Sequence, residues 1–160
     1  MRPGVDVPVP IARLVRAIAA ALEAAAAPVP ASIGLILSDD SELAALNRKH
    51  MGEQGPTDVL SFPLLPPAAF AGTARPGAAA DIPPGSRRHL GDVVVSVERA
   101  RAQAADGRGG QTGDVRWSVA DELRLLVGHG TLHVCGWDHR LPAEEAAMRA
   151  LETRILEHGR

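Results

Sequence analysis

The sequence predicts an α+β domain, with three short strands packed against about five helices around a single metal cleft. Two observations lead to the α+β class. Short apolar runs of strand length are interspersed with longer segments of helical spacing, and they follow neither a regular βαβ alternation nor an internal repeat. The chain has 160 residues, 46% of them apolar, which suits one hydrophobic core spanning residues 1–160. A third observation, a trio of histidines near the C-terminus, places the cleft.

Taken in order, Ile11 to Ala26 carries apolar residues at helical spacing and is rich in the helix formers Ala and Leu, with Pro28 and Pro30 ending it. Ala31 to Leu37 is a short apolar run that fits a buried strand. Ser38 reads as the N-cap of a helix from Asp39 to about His50, with Asp39, Asp40 and Glu42 favourably placed in its first turn. Pro56 and Pro63 fence an extended segment, and prolines at both borders point to an edge strand. Alternation along it sets Asp58, Leu60 and Phe62 on one face and Val59 and Ser61 on the other. Residues 66–89 are rich in Pro, Gly and Ala without periodicity and read as a mobile excursion. Leu90 to Ser96 is the third strand and leads into a helix to about Ala105. A turn-rich connection follows, then a helix from Trp117 or Ser118 to Val134 and a last one from Ala143 to Leu156.

Composition excludes several classes of function. A net charge of −2 argues against a protein that coats nucleic acid by charge alone, though not against a local basic groove. Aromatics make up 2% of the chain, too few for a base-stacking platform. Lys49 is the only lysine, a compositional habit that gives the arginine excess no functional weight. The single cysteine, Cys135, rules out an intramolecular disulfide and a multi-cysteine zinc site. With no apolar run of membrane-span length and no signal-peptide pattern, the expectation is a soluble, cytoplasmic chain.

The chemistry concentrates in Gly128-His129-Gly130-Thr131-Leu132-His133-Val134-Cys135-Gly136-Trp137-Asp138-His139. Residues four apart in a helix share a face, so His129 and His133 can aim at one point. A continued helix would carry His139 to the far side, but Gly136 is the residue type that ends helices in a left-handed conformation and turns the chain back. Three nitrogens around one Zn2+ ion, with the fourth position open, is the ligand set of a catalytic zinc site. Three neutral imidazoles leave the metal charge uncancelled, which favours a phosphate oxygen and an acidified water. A zinc metallopeptidase would need Glu after the first histidine as general base; here that position is Gly130, and Asp121 and Glu122 lie two turns upstream. A structural zinc in a docking module would need a fourth protein ligand, and Cys135, two residues after His133, points off the ligand face. Its expected role is burial as a small apolar residue.

The run HGTLHVCGWDH resembles the signature of the YbeY endoribonuclease family, a His-x3-His-x5-His motif. PTDVLSFP at 56–63, LGDVVVS at 90–96 and the closing-helix residues Met148 to Glu152, Ile155 and Leu156 agree in order and spacing. The similarity covers residues 31–156. It implies the zincin-like fold with a small mixed sheet, a metal held by His129, His133 and His139, and a single-strand-preferring endoribonuclease. The implied role is maturation of ribosomal RNA, including the small-subunit 3′ end, and ribosome quality control, with the small ribosomal subunit and its assembly factors as partners. One departure stands out: the family's aromatic-Arg-Gly run is matched here by His50-Met51-Gly52, and a thioether cannot stabilise a phosphorane charge. Arg48 or Arg88 is the expected replacement. Trp137 takes the place of the family's Tyr. Thr57, Asp58 and Ser61 are expected to align substrate along the cleft strand, Asp138 to orient a liganding imidazole, and Asp92 to be structural. His50 and His89 are candidates for the cleft border, and His158 is expected to be solvated.

Overall fold

The computed structural model describes residues 2–70, 87–107, 117–139 and 141–158. Five helices and one three-stranded sheet make it an α+β fold: α1 (Ile11–Ala24), β1 (Ala31–Ser38), α2 (Asp40–His50), β2 (Val59–Pro63), a 3-10 turn at Pro67–Ala69, β3 (Arg88–Ser96), α3 (Val97–Asp106), α4 (Val119–Val134) and α5 (Pro142–His158). The strand order is β1-β3-β2, with β1 parallel and β2 antiparallel to the central β3. Val59 pairs with Val95 and Pro63 with Gly91, so the proline-bordered strand is an edge, as its prolines require.

Several boundaries differ from expectation, three of them beside the sheet. The cap of α2 is Asp39, whose carboxylate accepts the Glu42 N–H at 2.9 Å, while Ser38 remains in β1 and its hydroxyl donates to the Glu42 carboxylate. Asp39 directly precedes the first helical residue and its carboxylate suits the first-turn amides, whereas Ser38 is still paired in the strand. β2 begins at Val59, because the Asp58 side chain occupies the Val59 N–H at 2.9 Å. Within 66–89, the turn at 67–69 and the strand residues Arg88 and His89 are ordered, Phe70 is fully buried, and the expected mobility of 71–86 falls outside the described residues.

The core lies between the sheet and α1, α4 and α5, with Leu14, Val93, Val95, Leu123, Val127, Leu132 and Ile155 almost inaccessible. Each such aliphatic side chain contributes about 1.5–3 kcal/mol by leaving water. A smaller cluster of Leu43, Leu60 and Val94 glues α2 to the opposite face of the sheet, with Phe62 against it. Leu60 and Phe62 thus face α2, and Val59 and Ser61 face α4, in the alternation expected.

Helix α4 is the spine of the domain. Ser118 and Asp121 close a reciprocal capping box at its start. Its middle lies on the sheet at very short range: a Cβ on Gly130 would stand 2.6 Å from a Val93 methyl and 3.0 Å from one of Val59. Three contacts bind it antiparallel to α5. Arg124 donates to the Leu156 carbonyl at 2.6 Å, Ile155 fills the space over Gly128, and His129 meets Glu152. No helix among the described residues is long and apolar enough to cross a membrane.

A three-histidine candidate metal centre

Helix α4 ends in a Schellman turn. The Trp137 N–H reaches the Leu132 carbonyl, the Gly136 N–H reaches that of His133, and Gly136 takes φ +83°. That reversal returns His139 to the face already carrying His129 and His133. The ligand-capable nitrogens of the three residues all lie within 4.8 Å of one another, and among the described residues no other such group of His, Cys, Asp or Glu is found. Ring centroids are 4.6 Å apart for His129 and His133, 5.2 Å for His133 and His139, and 5.8 Å for His129 and His139.

The hydrogen bonds fix which nitrogens converge. His133 Nδ1 lies 2.9 Å from the Trp137 carbonyl, which can only accept, so Nδ1 carries the proton. His129 Nδ1 lies 2.6 Å from Glu152 Oε1, and an ionised carboxylate likewise only accepts. Both Nδ1–H groups are therefore directed outward, and the two Nε2 atoms face each other at 3.0 Å. With both rings neutral that juxtaposes two lone pairs, which a shared cation turns from repulsion into ligation. Two nitrogens bound tetrahedrally at about 2.0–2.1 Å stand about 3.3 Å apart, close to this separation. The residues present fit a divalent metal. Burial, then the two neighbouring imidazoles, push the His133 pKa down to about 4, keeping that ring in its ligating neutral form.

Two hollows flank the histidines and share Asp58, Val59, His129 and His139. The larger, about 560 Å³, is also lined by Met51, Thr57, Ser61 and Trp137. The smaller, about 300 Å³, opens toward α5, where Glu145, Arg149 and Glu152 form one helical stripe. Asp58 is held at their junction, its carboxylate accepting from Thr57 at 3.2 Å and Gln103 at 3.0 Å. Ser61 is less free, its hydroxyl donating to the Gly130 carbonyl at 3.0 Å. The Asp138 carboxylate accepts the His139 N–H at 2.8 Å and so shapes the turn.

Other candidates lie elsewhere. Arg48, in the last turn of α2, and Arg88, opening β3 opposite Ala31, line neither hollow. His50 stacks edge-on against Phe62, and His89 sits between Ser32 and Asp92, giving Asp92 the structural part expected. Cys135 is buried, and that burial pushes its thiol up to about 12. The His158 side chain lies outside the described residues.

The family model described as endoribonuclease YbeY matches residues 6–160. The chain belongs to the endoribonuclease YbeY family. Curated relatives named endoribonuclease YbeY include one from Roseiflexus sp. strain RS-1, 41% identical over 79% of this chain and 69% of its own length. Another, from Salinispora tropica, is 39% identical over 81% of this chain and 75% of its own. Among solved structures, the solution structure of a Thermotoga maritima protein aligns with a TM-score of 0.56 at 20% identity, covering 99% of this chain and 85% of that one, a likeness of fold.

Beside the YbeY motif, sequence reasoning missed two partners of the histidines: the Glu152 carboxylate and the Trp137 carbonyl. A backbone acceptor leaves no signal in side-chain identity. Glu152 had one, since an acidic residue on the cleft-facing stripe of a closing helix is a candidate imidazole partner once α5 is placed against α4.

Proposed function

We propose that this chain is a zinc-dependent endoribonuclease that cuts single-stranded ribosomal RNA, acting in small-subunit 3′-end maturation and ribosome quality control in the cytoplasm. Its partners on this reading are the RNA and the small ribosomal subunit with its assembly factors, and residues 1–160 work as one domain. The observation that carries the reading is the pair of Nε2 atoms held 3.0 Å apart, with His139 beside them, in a cleft bordered by a strand edge. Family membership supplies the RNA.

His129, His133 and His139 would hold the metal, which would supply Lewis-acid polarisation of a phosphate oxygen and acidify water. Thr57, Asp58 and Ser61 border the path of an extended strand across the two hollows, and Asp138 sets the turn that delivers His139. With Met51 where the family has arginine, the arginine beside the histidines is Arg149, which is ion-paired with Glu145 at 2.6 Å and would turn to the RNA backbone. It lines the smaller hollow, whereas Arg48 and Arg88 line neither. Arg149→Ala is expected to raise KM for RNA several-fold while Arg48→Ala and Arg88→Ala leave it unchanged.

Cleavage of a labelled single-stranded RNA tests the whole reading, with zinc-loaded, chelated and His133→Ala protein and an unstructured peptide as parallel substrate. RNA cleavage that needs both metal and His133 is the expected result. Peptide cleavage instead would make the chain a metallopeptidase, and no metal-dependent activity on either would leave a metal-stabilised docking module.

A further inference from the structure

We infer that Glu152 is the positioning residue of the metal centre: it holds His129 in the tautomer and orientation that present Nε2 to the metal, and so ties metal affinity to the docking of α5 on α4. This rests on the three-histidine metal reading above and deepens it.

The three ligands are not equally supported. His133 is braced within its own turn by the Trp137 carbonyl. His139 follows a turn ordered by Gly136 and by Asp138. His129 has no such local brace; its Nδ1 partner comes from 23 residues away on another helix. An imidazole rotates about two side-chain bonds, and without an acceptor at Nδ1 the ring can present either nitrogen. A carboxylate at 2.6 Å removes that freedom and makes the ring a stronger donor to a cation.

The placement of Glu152 follows from how the helices meet. Gly128 has no side chain, so Ile155 comes down onto α4, and a Cβ there would stand 3.1 Å from an Ile155 methyl. Arg124 holds the far end of α5 through the Leu156 carbonyl. Glu152 lies one turn before these two residues and arrives over His129. Only 18% of its side chain is exposed, so the contact is more than a chance surface pairing.

The test is zinc affinity, measured by competition with a chromophoric chelator, for wild type, Glu152→Ala and Glu152→Gln. We expect zinc to bind 10- to 100-fold more weakly to Glu152→Ala, the range typical of such partners. Glu152→Gln, which keeps an acceptor without the charge, should fall between, with metal-free melting close to wild type in both. Unchanged affinity in Glu152→Ala overturns the inference while leaving the histidine site standing. Wild type that fails to bind zinc removes the metal reading and this one with it. Should the alanine variant fail to fold, Glu152→Gln and the nitrogen-15 spectrum of the zinc-loaded wild type decide: zinc on His129 Nε2 with the proton on Nδ1 is expected, and zinc on Nδ1 refutes the assignment.

Discussion

Gly130 sits between the first two histidines at the closest approach of α4 to the sheet, and Gly130→Ala tests whether that closeness matters. The added Cβ would stand 2.6 Å from Val93 Cγ1, 3.0 Å from Val59 Cγ2 and 3.2 Å from Ser61 Oγ. Carbon atoms in good contact lie about 3.5–4.0 Å apart, so the Val93 contact is short by about 1 Å. Val93 is fully buried in the central strand and has no room to retreat. Overpacking of this kind costs about 1–3 kcal/mol, against which alanine recovers up to about 1 kcal/mol of helix propensity. With strand and helix both fixed, the upper part of the range applies, leaving a net loss of about 1–2 kcal/mol. For a chain of this size that lowers Tm by about 2–8 °C. Calorimetry of the metal-free protein reads this directly, and chelator competition reads the second consequence, weaker zinc binding as the helix shifts His129 relative to Glu152 on α5. A variant as stable as wild type and equally avid for zinc would refute the argument that this glycine is required by close packing.

Three further outcomes follow from other contacts. The folded protein keeps His133 neutral down to about pH 4, whereas the unfolded chain takes up the proton near its ordinary value of 6.5. Metal-free stability should therefore be full above about pH 6.5 and fall as the pH drops toward 4, by at most about 1.4 kcal/mol per unit and less because the ring is part-exposed. Urea titrations across that window check it, and His133→Ala should flatten the slope. At the start of α4 the indole N–H of Trp117 donates to the fully buried Glu122 carboxylate. Trp117→Phe should cost about 1.5–3 kcal/mol in denaturant unfolding, the worth of a hydrogen bond to a charged group. Finally, zinc at one hundred times its Kd should stabilise the fold by about 2.7 kcal/mol, an increment that EDTA abolishes in a thermal scan.

Much of this molecule was legible because its signals are local. The spacing of His129 and His133, the turn-forming Gly136 and the prolines around β2 each act within a few residues, and periodicity placed all five helices to within a few residues. What escaped were decisions between neighbours or between distant segments. Ser38 and Asp39 compete for one cap, and residue preference alone does not separate them; β1 extends through Ser38 and gives the cap to Asp39. That β3 is central, parallel to one neighbour and antiparallel to the other, depends on tertiary contacts no single segment announces. Glu152 belongs with them, since only the packing of Ile155 over Gly128 tells which face of α5 meets the cleft.

The chain has no tyrosine and two tryptophans, and these stand at opposite ends of α4. The sixteen-residue helix between them is about 24 Å long. Trp117 is anchored to a carboxylate, whereas the buried indole N–H of Trp137 has no hydrogen-bond partner among the described residues and its carbonyl is bound to His133. Nature has thereby equipped the spine helix with two fluorophores in unlike surroundings, free of background from tyrosine. Trp137 stands at the histidine end and Trp117 at the capped end, so replacing one by phenylalanine leaves the other to report on its own end without any dye attached.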